Sequence, residues 1–136
     1  MNPLEEGQEL QLDFNKLTKA VANCRGIVPV AVQNADTGEV ILLAYTNQQA
    51  FQLSLQERRL ILWSTSRNEL WEKGKTSGET FDIVEAFVNC EQNSILYKVR
   101  PRRGGICHTR NRANLPRNCF YRRINPVTRA LENIDP

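Results

Sequence analysis

Four residues in the second half of the 136-residue chain have the types and placement to do chemistry: Cys90, Cys107, Cys119 and the single histidine, His108. Three thiolates suit zinc, a borderline-soft ion that takes sulfur in preference to oxygen. Their spacing is not that of a zinc finger, since the sequence contains no Cys-x-x-Cys pair. Three protein ligands leave one coordination position open for water, which is the arrangement of a catalytic rather than a structural zinc. A closed site with His108 as fourth ligand is the competing set, although adjacent residues such as Cys107 and His108 rarely both reach one tetrahedral ion. In the open arrangement His108 is available as general acid or base, work that the imidazole side chain commonly does. Cys24 stands apart, near an expected strand, and reads as a packed core thiol.

Charge is unevenly spread around these residues. Residues 1–99 hold 9 Lys+Arg against 13 Asp+Glu, whereas residues 100–136 hold 9 against 2. Eight of these cations are arginines between Arg100 and Arg123, a stretch with no acid. Arginine rather than lysine points to bidentate capture of phosphate or carboxylate, with a solvated basic loop as the plain alternative. Nucleic acid fits less well, because the stretch offers few stacking aromatics beyond Phe120 and Tyr121. No stretch approaches the roughly 20 apolar residues of a membrane span. The acidic, polar run Met1–Leu10 does not read as a signal peptide. Cytoplasm is the expected compartment, where clustered cysteines serve metals or catalysis more often than disulfides.

The elements that must position these groups follow from pattern. One domain spans 1–136, since the hydrophobic share of 40% and charged share of 24% are ordinary for a globular chain and no linker or repeat appears. Asp13–Val21 could form a short helix. Ile27–Gln33 and Glu39–Tyr45, flanking Asn34-Ala35-Asp36-Thr37-Gly38, predict a β-hairpin. Thr46 or Asn47 can cap a helix reaching about Gln56. Leu60–Ser64 predicts a short strand and Thr65–Glu79 a polar loop. Thr80–Val88 and Ser94–Val99 predict strands joined by a loop carrying Cys90. An irregular arginine-rich loop over 100–118 precedes the short apolar piece Cys119-Phe120-Tyr121, and Val127–Asn133 predicts a small helix. The fold class expected is α+β and β-rich, with a mixed or antiparallel sheet or an open barrel and a few short helices.

The runs Gly26–Gln33, Asp36–Val40 and Leu43–Asn47 resemble the opening of the phosphoribosyl-AMP cyclohydrolases of histidine biosynthesis. So does the continuous stretch from Trp63-Ser64-Thr65-Ser66-Arg67 through Trp71-Glu72-Lys73-Gly74-Lys75-Thr76-Ser77-Gly78. Cys107-His108-Thr109 followed by Cys119-Phe120-Tyr121 completes the pattern in order. The resemblance covers about 26–122, leaving 1–25 and 123–136 as terminal extensions. It implies an intertwined homodimer with zinc at the interface, held by Cys107 and Cys119 of one subunit and Cys90 of the other. It implies hydrolytic opening of the adenine ring of phosphoribosyl-AMP between N1 and C6, with zinc activating the attacking water and His108 moving protons. Trp63, Ser64, Ser66, Arg67, Trp71, Lys73, Thr76 and Ser77 correspond to the family's substrate loop. Core packing is the competing reading for both tryptophans.

Departures from the family's pattern fall beside the metal residues. Where the family carries three alternating aspartates that bind magnesium, this chain has Asn89, Glu91 and Asn93. Hard cations depend on anionic oxygen, so magnesium binding is expected to weaken strongly or vanish while the zinc thiols persist. The loop between Cys107 and Cys119 is longer than the family's, adding Arg110, Arg112 and Arg117. Of these, Arg110 and Arg112 are the expected additions to a phosphate site. Thr46 and Thr65 replace the family's usual methionine and arginine. Three functions follow: the cyclohydrolase itself, a paralogue hydrolysing another purine-like nucleotide, and a non-catalytic zinc- or nucleotide-binding protein.

Overall fold

A computed structural model describes residues 2–74, 80–102 and 109–136. The hairpin expected near the N-terminal third forms as β1 (Val28–Asn34) and β2 (Val40–Thr46), paired antiparallel. Its turn is held by Asn34, whose Oδ1 accepts from the backbone of Asp36 and Thr37, and Gly38 supplies the positive φ of 78° that closes it. The strands β5 (Phe81–Val88) and β6 (Ile95–Pro101) pair antiparallel around the Cys90 loop. β6 also runs parallel to β1, which gives one four-stranded mixed sheet in the order β2-β1-β6-β5.

Helix α3 (Gln48–Glu57) begins at Asn47, whose Oδ1 accepts from the Ala50 backbone at 2.9 Å. Buried Ser54 ties this helix to β3 (Ile61–Ser64): its Oγ donates to the Ile61 carbonyl at 2.6 Å and accepts the Ile61 amide at 3.1 Å. The core lies on one face of the sheet, where Val30, Val32, Ile41, Tyr97, Val99, Phe81 and Ile83 pack with Leu60 and Leu62. Val30 and Val32 of β1 are buried while Pro29, Ala31 and Gln33 between and beside them are not, the alternation of a sheet with one covered face.

The short helices α1 (Pro3–Glu6) and α2 (Lys16–Asn23) precede the sheet, α2 lying two residues beyond the expected Asp13–Val21 at its C-terminal end. Cys24 caps α2 and is buried, its Sγ 3.6 Å from the Thr65 carbonyl, as expected of a packed thiol.

Two expectations fail. Within the expected loop Thr65–Glu79, Glu69–Glu72 forms strand β4, paired antiparallel with β3. Asn68 takes a φ of 54° in the connecting turn, and Ser64 Oγ accepts from the Arg67 amide, so local turn chemistry overrides the polar composition. The expected helix over 127–133 is a turn and a strand. β7 (Arg122–Ile124) pairs with β8 (Leu131–Asn133), and Asn125 Oδ1 accepts from Val127 and Thr128 to drive the reversal. No helix among the described residues is long and apolar enough to cross a membrane.

Candidate functional site

Cys90 sits in the tight turn between β5 and β6 and is exposed. Asn89 organises that turn. Its Oδ1 accepts from the Asn93 amide at 2.8 Å and the Ser94 amide at 2.9 Å, and its Nδ2 donates to Asn93 Oδ1 at 2.6 Å. Asn93 Nδ2 in turn donates to Glu91 Oε2 at 3.1 Å. Asn89, Glu91 and Asn93 are therefore brought together, and they are bonded to one another.

Cys119, also exposed, lies along the free edge of β2. Its amide donates to the Ile41 carbonyl at 3.2 Å, and Asn118 Nδ2 donates to the Val40 carbonyl beside it. Cys119 opens onto a groove walled by Leu10, Leu12, Phe120 and Ile124, so part of the N-terminal extension stands beside the thiol. The sheet separates the two thiols. Cys119 flanks β2 level with Val32 and Gln33 of β1, whereas Cys90 lies past Val88 of β5, the opposite edge strand. Three strand spacings across and several residues along put them on the order of 20 Å apart. Thiolates on one zinc ion lie within about 4 Å of each other. Cys90 and Cys119 of the same chain cannot share an ion. Cys107 and His108 lie outside the described residues, as do Thr76 and Ser77.

The substrate-loop residues expected from the sequence gather on the β3–β4 hairpin. Ser64 and Ser66 share its turn, with their hydroxyls 3.3 Å apart, and Arg67 follows with its guanidinium 3.9 Å from Glu69. Trp63 pairs across the ladder with Leu70 and Trp71 with Leu62. Opposed residues share a face and neighbours alternate, so the two indoles face opposite sides of the hairpin. They cannot stack one base between them. Trp63 donates its Nε1 to Asn68 Oδ1 at 3.2 Å, and Lys73 Nζ stands 5.8 Å from the Trp71 ring centre.

Several arginines are already committed inside the chain. Arg100 grips Asp36 with Nε and Nη2 at 3.0 and 2.9 Å, and this guanidinium holds the Asp36 carboxyl below its ordinary range. Arg102 pairs with Asp82 at 2.7 Å. Arg117, expected as part of a basic surface, is only 3% exposed. It meets Glu6 at 2.6 Å, donates Nε to the Asp135 carbonyl and lies 4.6 Å from the Tyr121 ring centre. The bidentate carboxylate that the arginine composition predicts is thus, in part, the chain's own. Arg110 Nη1 donates to the Asn114 carbonyl, and Arg110 and Arg112 line a cavity of about 670 Å³ with Glu6, Gly7, Gln8 and Asn133. The Glu6–Arg117 pair carries no signal in the sequence, because its members are 111 positions apart.

The family model described as phosphoribosyl-AMP cyclohydrolase matches residues 42–121. A Caulobacter vibrioides phosphoribosyl-AMP cyclohydrolase is 46% identical over 101 residues, covering 74% of this chain and 69% of that protein. The Hyphomonas neptunium phosphoribosyl-AMP cyclohydrolase is 44% identical over 99 residues, covering 73% and 71%. The Thermus thermophilus histidine biosynthesis bifunctional protein HisIE is 44% identical over 100 residues, which are 74% of this chain and 44% of that longer protein. With more than half its length under the family model and close to half its aligned residues identical to such relatives, the chain belongs to the phosphoribosyl-AMP cyclohydrolase family.

Proposed function

We propose that this protein opens the adenine ring of phosphoribosyl-AMP at the N1–C6 bond, using a zinc site completed by two copies of the chain. The observation that carries the shared site is the placement of Cys90 and Cys119 on opposite edges of one sheet, both exposed. Exposed thiols fit a soft ion, and the separation fits ligands contributed by different subunits. Cys107 and Cys119 of one copy and Cys90 of the second are the ligand set. A bound zinc ion supplies Lewis acidity and brings the pKa of water down toward ~7, which makes a nucleophile at neutral pH.

The rest falls to side chains. His108, adjoining Cys107, receives and returns the protons exchanged as water adds at C6 and N1 departs. Ser64, Ser66, Arg67 and Lys73 of the β3–β4 hairpin, with Thr76 and Ser77 after it, bind the phosphoribosyl groups through hydroxyl and cationic donors. Arg110 and Arg112 extend that positive field. One indole, not both, is available to stack the base.

Purified protein supplied with zinc and phosphoribosyl-AMP is expected to consume the substrate with ring opening, and the gene is expected to restore growth to a histidine auxotroph lacking the cyclohydrolase. Cys107→Ser should lose stoichiometric zinc. A folded, zinc-loaded protein that leaves phosphoribosyl-AMP intact would transfer the reading to another purine-like nucleotide. The observation favouring that second reading is the enlarged 110–118 loop, packed through Arg117 and Asn111 onto Glu6 and Asp135 beside the Arg110–Arg112 cavity.

A further inference from the structure

The orientation of the Asn89 amide follows from its partners. Its Oδ1 accepts two backbone N–H groups, from Asn93 and Ser94, so its Nδ2 must be the donor facing Asn93. Asn93 therefore presents Oδ1 to Asn89 and Nδ2 to Glu91. Each amide oxygen is used, and an N–H group points into the space between the three side chains. A divalent cation needs oxygen lone pairs converging on that space. These residues do not fit one. Three carboxylates so close together would repel each other and require a cation, whereas two amides and one carboxylate satisfy each other as donors and acceptors.

We propose that Asn89, Glu91 and Asn93 form a cation-free clasp that replaces magnesium in this chain and fixes the turn presenting Cys90. The clasp continues into the backbone. The Asn89 amide donates to the Ser94 carbonyl, the Gln92 amide donates to the Asn89 carbonyl, and Gln92 adopts a φ of 55°. Cys90 is held between two residues of this network, so Asn89 acts as a positioning residue for the thiol. That last role rests on the zinc reading above, whereas the clasp itself does not.

Hydrogen exchange on the full chain tests the clasp with magnesium alone as the probe. The Asn93 and Ser94 amides should be protected in the wild type, unchanged by EDTA before zinc loading and by millimolar magnesium. Protection should be lost in Asn89→Ala, and in Asn89→Asp/Asn93→Asp, which keeps both acceptors but crowds three carboxylates together, it should rise when magnesium is added. Magnesium-dependent protection in the wild type, or full protection in Asn89→Ala, would overturn the clasp. Zinc titration tests the positioning role: Asn89→Ala should weaken zinc binding roughly tenfold or more, the usual cost of losing a ligand-orienting partner. Asn89→Asp, which keeps both backbone bonds, should recover most of it. Unaltered zinc affinity in Asn89→Ala would overturn the positioning role. Failure of the wild type to bind zinc would remove the zinc reading and leave the exchange result to decide the clasp.

Discussion

Among the described residues Tyr97 is the largest fully buried side chain, and its hydroxyl has no hydrogen-bond partner among them. Ser54 stands near enough to oppose the effect weakly, but its own hydroxyl is occupied with Ile61. Burial pushes the Tyr97 phenol from its ordinary 10 up to about 12. The folded state therefore holds this proton more tightly than the unfolded state. Stability from this group is complete below pH 10 and is lost as pH rises toward about 12. Tyr97→Phe removes an unsatisfied polar atom while keeping the ring, so stability at neutral pH should rise by about 1 kcal/mol. The decline above pH 10 should become shallower. Denaturant unfolding at neutral and alkaline pH measures both. A loss of stability in the variant would reveal a bond to the hydroxyl.

At the scale of elements, the two termini are fastened to the 109–118 loop and to Tyr121 just beyond it. α1 contributes Glu6 to buried Arg117, Tyr121 donates its hydroxyl to the Glu5 carbonyl at 2.6 Å, and Asn111 Nδ2 donates to Asp135 at 3.0 Å. Hydrogen bonding and the charge of Arg117 hold the Glu6 carboxyl below its ordinary 4.5. A lowered carboxyl pKa favours the folded state above that ordinary value, and the contribution fades as pH falls through the lower folded-state value. The amides of 4–6 and those of the 109–118 loop should thus lose protection below about pH 4.5, ahead of the core strands. Glu6→Gln should abolish this acid step and loosen both segments at neutral pH, because Arg117 is left buried without its counter-charge. Exchange that accelerates equally in core and termini would show that the pair is not a local fastener.

These segments also mark where sequence pattern stops being informative. β1–β2, α3 and β5–β6 were legible because each is bounded by local chemistry: the Asn34–Gly38 turn, the Asn47 cap and the Asn89–Asn93 turn. β4, β7 and β8 have three or four residues each and exist through pairing, which four polar-flanked residues cannot announce. The site was legible as residue types, since thiols and a lone histidine are conspicuous. Which arginines face substrate was not, because Arg100 and Arg117 meet carboxylates 64 and 111 positions away.

For the whole molecule, the sheet has two faces and the core occupies one. On the other, the ladder places Leu43, Ala31, Leu96 and Phe87 side by side across all four strands. Leu43 is 66% and Phe87 45% exposed, and the row continues into a groove of about 440 Å³ that reaches Asn89 at the Cys90 turn. An apolar row four strands wide is costly to leave in water. A second copy laid on this face would cover the row and lie against the groove that reaches the Cys90 turn. Phe87→Lys and Leu43→Lys place a charge in the middle of that row without entering the core. Both are expected to sediment as monomers and, because Cys90 then has no partner chain to serve, to lose stoichiometric zinc and ring-opening activity together. In mixtures of inactive Cys90→Ser and inactive Cys119→Ser chains, up to half the activity expected of one intact site per dimer should return, since one interface would then hold all three native thiols. No recovery in refolded mixtures, or full zinc content in a lysine variant that sediments as a monomer, would overturn the zinc site shared between two chains.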